Sequence, residues 1–391
     1  MSYPNQLMCS AAFSSLVVDP DKQIRPCCVW SGPNWGNIRT STIDQILNHP
    51  ARKKLQEDMK NGVLNTGCSY CINSEKTTGN SVRLEAYGAI QASDNITYLE
   101  YNGSNICNLA CVMCGPSFSS TWVEFEKKHK IKTNNHIPLL DKKIHGPDIK
   151  FSENFFKTLN LSALSILTLK GGEPFLNKEN ILLLDHLKTL DVLKNIAISI
   201  TTNATVLNDQ ILDLLKLAKS VSVTISKDGP NDINRWIRWN DSNPELSSDL
   251  NIKSNIKKIL TLPNIKILKN TCSVQVYNIF HLDEHWQWWE KEIVPLSTAV
   301  QPIKKFDYFV HTENYNLRVL TDNTRHNLIE KYKSMNVPVL YDNIISFLNL
   351  PYLGNHLHNA FVLYTLKTDR TRDTRILNIV PDLKDELSKL L

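Results

Sequence analysis

Three cysteines fall within eight residues: Cys107, Cys111 and Cys114 in CNLACVMC. Thiolates are soft ligands that suit zinc, Cu(I) and iron–sulfur clusters. A structural zinc site is closed by four ligands, and no histidine lies between Asn105 and Lys128 to complete one. A cuboidal 4Fe–4S cluster held by three thiolates keeps one iron open, where a substrate or cofactor can bind directly. Five more cysteines, Cys9, Cys27, Cys28, Cys68 and Cys71, form a second group near the start of the chain. Cys272 stands alone and reads as a small buried hydrophobe.

The elements that must position these thiols follow from periodicity. Residues 1 to about 90 are loop-rich and carry one good helical pattern, STIDQILNHPARKKLQEDMKNG, which Pro50 interrupts. So much loop around five cysteines suggests a small metal-stapled domain over 1–92. From about 93 to 300, strands alternate with amphipathic helices. ITYLEYNGS, SILTLKGG, NIAISITTNA, SVSVTISKDG and LKNTCSVQVYN read as strands, and KENILLLDHLKTL and NDQILDLLKLAKS as helices. That order implies parallel β/α units, whose ligands sit at the carboxyl ends of the strands. CNLACVMC, GGEP, TTNAT and SKDG all follow strands at that end. Residues 301–391 read as a C-terminal α/β extension ending in a charged helix after Pro381. The basic stretch 126–146 reads as a solvated insertion.

The Cx3Cx2C spacing, followed by GGEP after the next strand, resembles the signature of the radical S-adenosylmethionine (SAM) superfamily. The resemblance implies an open partial (β/α)6 TIM-like barrel of α/β class. It also implies a SAM-binding 4Fe–4S cluster on Cys107, Cys111 and Cys114. In that superfamily the cluster reductively cleaves SAM to a 5′-deoxyadenosyl radical, which abstracts hydrogen from a substrate. Gly171, Gly172, Glu173 and Pro174 match the loop that receives the ammonium group of SAM. Asn203 matches the turn near the ribose, with Ala204 in place of the common glycine. Ser226 and Asp228 match a SIDG-type loop, in which Lys227 is a departure that puts a cation near the expected SAM site. Arg238 sits where some members place an arginine near the SAM carboxylate. Met113 stands before the third cysteine, where an aromatic residue is commoner, and it can cover the adenine.

The first group of cysteines resembles the auxiliary-cluster segment of the twitch and SPASM branch. The matching residues are Asp19, Pro20, Pro26, Cys27, Cys28, Gly36, Asn37, Ile43, Cys68, Cys71, Glu75, Ser81 and Arg83, with Asp369, Arg372, Pro381 and Leu383 in the tail. The resemblance implies an auxiliary 4Fe–4S cluster on Cys9, Cys27, Cys68 and Cys71. Cys28 is an alternative to Cys27, and a closed zinc site on the same residues is an alternative to the cluster. No general acid or base is assigned; Cys28 and Cys272 are the candidate catalytic thiols.

Many relatives with auxiliary clusters modify peptides, so a peptide is the expected substrate, with a small metabolite or sugar as the alternative. An electron donor such as ferredoxin or flavodoxin is implied. A non-catalytic iron–sulfur or zinc binding protein is the reading from another class; it explains the cysteines but not GGEP, TTNAT and SKDG in barrel order. GxSxG, P-loop and HExxH patterns are absent, which argues against hydrolases and NTPases. The formal charge of +5 over 391 residues is small, and no specific nucleic-acid partner is expected. The polar opening MSYPNQLMCS has no secretory h-region, and no apolar run is long enough for a bilayer. A cytoplasmic protein with no membrane partner is therefore expected. Trp286, Trp288 and Trp289 read as helix packing against the barrel, and His356 and His358 as an incidental pair in a strand or turn.

Overall fold

The computed structural model describes residues 7–88, 92–130, 147–296, 303–310, 315–335 and 338–388. Most of the 126–146 insertion lies outside the described residues. Among the described residues, eight strands form one open sheet: β1 (Ser15–Val18), β2 (Ile24–Arg25), β3 (Tyr98–Tyr101), β4 (Ile166–Leu169), β5 (Ala197–Thr202), β6 (Ser220–Ser226), β7 (Ile265–Val274) and β8 (Ile303–Val310). Their order is β2-β1-β3-β4-β5-β6-β7-β8. Only the β1–β2 pair is antiparallel. The expected partial barrel of six parallel strands is β3–β8, and β1 adds a seventh parallel strand at its edge.

The strand sequences explain which face meets what. In β5, Ile198, Ile200 and Thr202 are buried while Ala197, Ser199 and Thr201 are half-buried. This period of two turns the branched apolar side chains to one face and small polar ones to the other. Helices cap themselves as they leave the sheet. Asn177, Asn208 and Ser248 each accept a backbone N–H in the first turn of the Lys178–Thr189, Asp209–Leu215 and Asp249–Ile259 helices. Pro50 starts a helix instead of kinking one: Ile43–Leu47 ends first, and Pro50 is the first residue of Pro50–Lys60.

The boundaries expected at 92 and 300 both fall inside this sheet. Strand β1 pairs with β3 across the first, and β7 with β8 across the second. One contiguous apolar core runs from Ala12 to Leu387. A buried ion pair fastens the N-terminal hairpin to the barrel helices. Lys22 Nζ, at a left-handed φ of 70° in the β1–β2 turn, lies 2.7 Å from Glu179 Oε1, and neither side chain is exposed. Ser152 and the Tyr101 hydroxyl complete the network at 3.0 and 2.9 Å from the carboxylate. Among the described residues, no helix is long and apolar enough to cross a membrane.

Candidate functional site: a three-thiol loop and its cavity

The loop 107–112 exposes six consecutive carbonyls, and each is satisfied by a side chain from elsewhere in the chain. The Cys107 carbonyl accepts from Thr121 Oγ1 at 2.6 Å and Ser120 Oγ at 3.1 Å. Asn108 accepts from Asn240 Nδ2 at 2.5 Å, and Leu109 from Ser119 Oγ at 2.6 Å. Ala110 accepts from Arg372 Nη2 at 2.6 Å, and Cys111 from Trp122 Nε1 at 2.8 Å. Val112 accepts from the Tyr364 hydroxyl at 2.8 Å. Two backbone bonds, Ala110 N to Trp239 O at 2.7 Å and Val112 N to Ile237 O at 2.9 Å, pin the loop further. With its backbone held from outside, the loop presents its three thiols to the interior.

Those thiols share a cavity of about 430 Å³ with the other strand-end loops. Cys107, Cys111, Met113, Cys114, Gly171, Gly172, Asn203, Ser226 and Arg238 all line it, as do Arg25, Cys28, Glu100, Asn102 and Lys170. The two glycines are required by close approach. A Cβ on Gly171, whose φ is +109°, would lie 2.7 Å from Asn102 O, and one on Gly172 would lie 2.2 Å from Ile106 O. Asn203 Nδ2 lies 4.0 Å from Cys107 Sγ, and Arg238 Nη1 3.9 Å from Cys111 Sγ. In the TTNAT turn Ala204 adopts a φ of 54°, which explains why glycine is common at that position.

Other matched residues shape the cavity from behind. Glu173 and Pro174 are buried and do not line it. The Glu173 carboxylate accepts from Thr202 Oγ1 at 2.7 Å, Asn203 N at 2.8 Å and Phe175 N at 3.2 Å, so it shapes the Asn203 turn. Asp228 is wholly buried; it pairs with Arg238 Nε at 2.8 Å and accepts from Ser273 N at 2.7 Å. Arg238 thus joins the Asp228 carboxylate to the Cys111 sulfur.

Lys227 differs from expectation. It is fully buried and does not line the cavity. Its ammonium lies 2.9 Å from Asp249 Oδ1 and 4.2 Å above the Trp288 ring. Successive residues leaving a strand point to opposite sides, so the departure lies behind the site. Trp288 is therefore taken up by Lys227, Trp289 is buried in the core, and Trp286 packs against it. His356 and His358 lie on the Asn355–Arg372 helix, not in a strand or turn. His358 is buried, with its ring nitrogens 2.8 Å from Val319 O and 3.1 Å from Glu386 O.

The second group of cysteines divides. Cys9, Cys27, Cys68 and Cys71 line one apolar cavity with Arg83 and Tyr87. Cys28, next to Cys27, lines the three-thiol cavity instead. Cys272 is wholly buried and lines neither. Arg83 donates to Glu75 Oε1 at 2.9 Å and to Met8 O at 3.0 Å, which explains this pair in the motif: it closes the chain around Cys9. Among the described residues, no three His, Cys, Asp or Glu side chains close on a single metal ion.

Two family models match the chain: the radical SAM superfamily over residues 101–248 and an iron–sulfur cluster-binding domain over residues 9–72. The chain is a radical SAM protein. Its two domains imply a SAM-binding 4Fe–4S cluster with SAM, and an auxiliary iron–sulfur cluster. Curated proteins give no match. Among solved structures, native anSMEcpe with bound AdoMet matches at 15% identity and a TM-score of 0.38, covering 65% of this chain and 63% of that one. Streptococcus suis SuiB bound to precursor peptide SuiA matches at 15% identity and a TM-score of 0.36, covering 78% and 56%. The radical SAM protein thus spans at most 63% of the length of these two structures.

The residues of this radical SAM protein fit such a cluster. Burial pushes the Cys107 and Cys111 thiols up, and Cys114 to about 12, so the thiolates need a metal to form. The donors near Cys107 and Cys111 Sγ suit sulfurs that carry negative charge. Burial pushes Glu173 up from 4.5 to about 7, against its three hydrogen bonds. A raised carboxyl pKa favours the fold at pH below the unfolded value, and that contribution is lost as pH rises through about 7. Glu173→Gln should therefore gain on wild type as pH rises from about 5 to about 8, by up to about 3 kcal/mol. Urea midpoints across that range measure it; a difference independent of pH would show that Glu173 does not titrate there.

Proposed function

We propose that this chain is a radical enzyme that reductively cleaves SAM and abstracts hydrogen from a peptide. The observation that carries the reading is the single cavity shared by three thiols, two glycines that admit no Cβ, and Asn203, Ser226 and Arg238. In this reading Cys107, Cys111 and Cys114 hold the SAM-binding 4Fe–4S cluster, and Cys9, Cys27, Cys68 and Cys71 hold the auxiliary one. When bound, the cluster and SAM supply a 5′-deoxyadenosyl radical. The Gly171–Gly172 backbone would give the ammonium group of SAM a close seat, Asn203 would serve the ribose, and Met113 would cover the adenine. Arg238 keeps a cation beside the Cys111 sulfur, itself oriented by Asp228.

Peptide recognition is supported by the wall beside Gly171, where Arg25, Glu100, Asn102 and Lys170 offer donors and acceptors that suit a backbone. Anaerobically reconstituted protein with dithionite, standing in for a ferredoxin or flavodoxin, should convert SAM to 5′-deoxyadenosine and methionine. A pool of synthetic peptides should accelerate that conversion and a pool of sugars should not. The reverse would move the substrate to small metabolites. Cluster-loaded protein that makes no 5′-deoxyadenosine would leave only a cluster-binding role.

A further inference from the structure

Four strands bring one row of side chains to the barrel interior. Arg25 on β2 pairs in register with Val17 on β1, Val17 with Glu100 on β3, and Glu100 with Thr168 on β4. Residues paired across a sheet share a face, and along a strand that face repeats every second residue, so Lys170 continues the row beyond Thr168. Arg25, Glu100 and Lys170 accordingly line the three-thiol cavity. By count this wall is neutral: Lys170 Nζ lies 3.0 Å from Glu100 Oε2, and Arg25 Nη2 2.7 Å from Asp19 Oδ1. By exposure it is not. The Lys170 side chain is 39% exposed against 3% for Glu100, and that of Arg25 22% against 11% for Asp19. The carboxylates hold the cations in place, and the cations form the surface that a ligand meets. Both cations keep donors to spare. Lys170 gives Glu100 one N–H of its ammonium, and Arg25 gives one N–H to Asp19 and one to Cys28 O; the remaining donors meet no acceptor among the described residues. Burial works against the Lys170 charge, but the negative charge beside it, Glu100 foremost, outweighs burial and raises its pKa. A carboxylate suits a point cation beside a guanidinium fork, and the two carboxylates behind them disfavour a dianion such as phosphate.

We propose that Lys170 and Arg25 select the substrate by a carboxylate, so that the peptide taken into this cavity is acidic. The inference rests on the peptide reading above and names the chemistry that its substrate carries. Lys170 directly precedes Gly171, the seat given there to the ammonium group of SAM, so the selected carboxylate lies close to the residue that reacts. An Asp or Glu side chain and a free C-terminus offer the same group. SAM carries a carboxylate too, and the test is therefore run with SAM already bound.

The probe is an equimolar pool of short random synthetic peptides, made in matched free and amidated C-terminal forms. It is passed over anaerobic, iron-loaded chain with saturating SAM and no reductant, and the retained peptides are sequenced by mass spectrometry. Peptides with Asp or Glu should be retained over those with Lys or Arg by at least about tenfold, which one charge-assisted hydrogen bond supplies. An acidic excess that survives amidation places the carboxylate on a side chain; an excess confined to free C-termini places it at the chain end. Changing Glu100→Gln and Lys170→Gln together strands no buried carboxylate and should cut the excess about tenfold at wild-type iron. A smaller excess in wild type, retention of no peptide included, would overturn the proposal whether or not the double variant folds. So would an unchanged excess in the iron-loaded double variant, and a variant that loses SAM affinity while keeping the excess would show that the cations serve SAM. Retention needs no radical, so iron-loaded wild type that retains acidic peptides but makes no 5′-deoxyadenosine once dithionite is added would overturn the radical reading alone.

Discussion

With Cys107, Cys111 and Cys114 all changed to alanine, anaerobically purified protein should fall from about eight irons per chain to about four and make no 5′-deoxyadenosine. The chain should still fold, because the loop is not held by its thiols. Its six carbonyls are tied to Thr121, Asn240, Ser119, Arg372, Trp122 and Tyr364, and none of these bonds uses a cysteine side chain. The second half of the experiment separates the neighbouring cysteines. Cys27→Ala should lose the other four irons and Cys28→Ala none, since only Cys27 lines the cavity of Cys9, Cys68 and Cys71. Iron, sulfide and zinc analysis reads all three variants. About four irons falling to none in the triple variant, with one zinc retained, would make the N-terminal site structural. No iron in either protein would leave a binding module.

What could be read from the chain was what spacing encodes. Cx3Cx2C, GGEP and TTNAT are local, and strand-then-loop order places them at one end of a parallel sheet. The partition of Cys27 and Cys28 was not legible, because it depends on which way two successive residues point at the end of a hairpin. Lys227 was misplaced for the same reason: its distance along the chain from Ser226 says nothing about the side it faces. The Lys22–Glu179 pair joins residues 157 apart, and no local pattern announces a lysine that is wholly buried. The domain boundaries were drawn where composition changes, yet strand pairing runs across both. The Glu173 carboxylate was read as a partner for a cation. Its three hydrogen bonds from Thr202, Asn203 and Phe175 show a role in shaping the turn, which the GGEP motif alone cannot distinguish.

Arg372→Met should cost the protein its SAM-site cluster while sparing the auxiliary one, although Arg372 is 262 residues from the loop it holds. Its guanidinium is buried and donates to Ala110 O at 2.6 Å and Trp236 O at 2.7 Å. The rings of Trp122, Phe125, Trp236 and Trp239 surround it at 5.5 to 6.0 Å. Burial lowers its pKa to about 10, so it stays charged at neutral pH. Methionine would fill much of the volume but leave two buried carbonyls without donors, at roughly 1–3 kcal/mol each. Part of that loss is offset, because a desolvated charge disappears with the arginine; a net cost of about 2–4 kcal/mol follows. The effect on the loop is larger than the stability figure suggests. Ala110 lies between Cys107 and Cys111, and Trp236 belongs to the helix that leads into Arg238, so one side chain sets both walls around the Cys111 sulfur. Iron should fall by about four per chain, and the electron paramagnetic resonance change that SAM binding causes in the reduced protein should vanish. Arg372→Lys should recover only part of this, because an ammonium is a single point donor where the guanidinium fork reaches two carbonyls. Full iron and an unaltered SAM-dependent spectrum in Arg372→Met would show that Ser119, Trp122 and Tyr364 hold the loop without it.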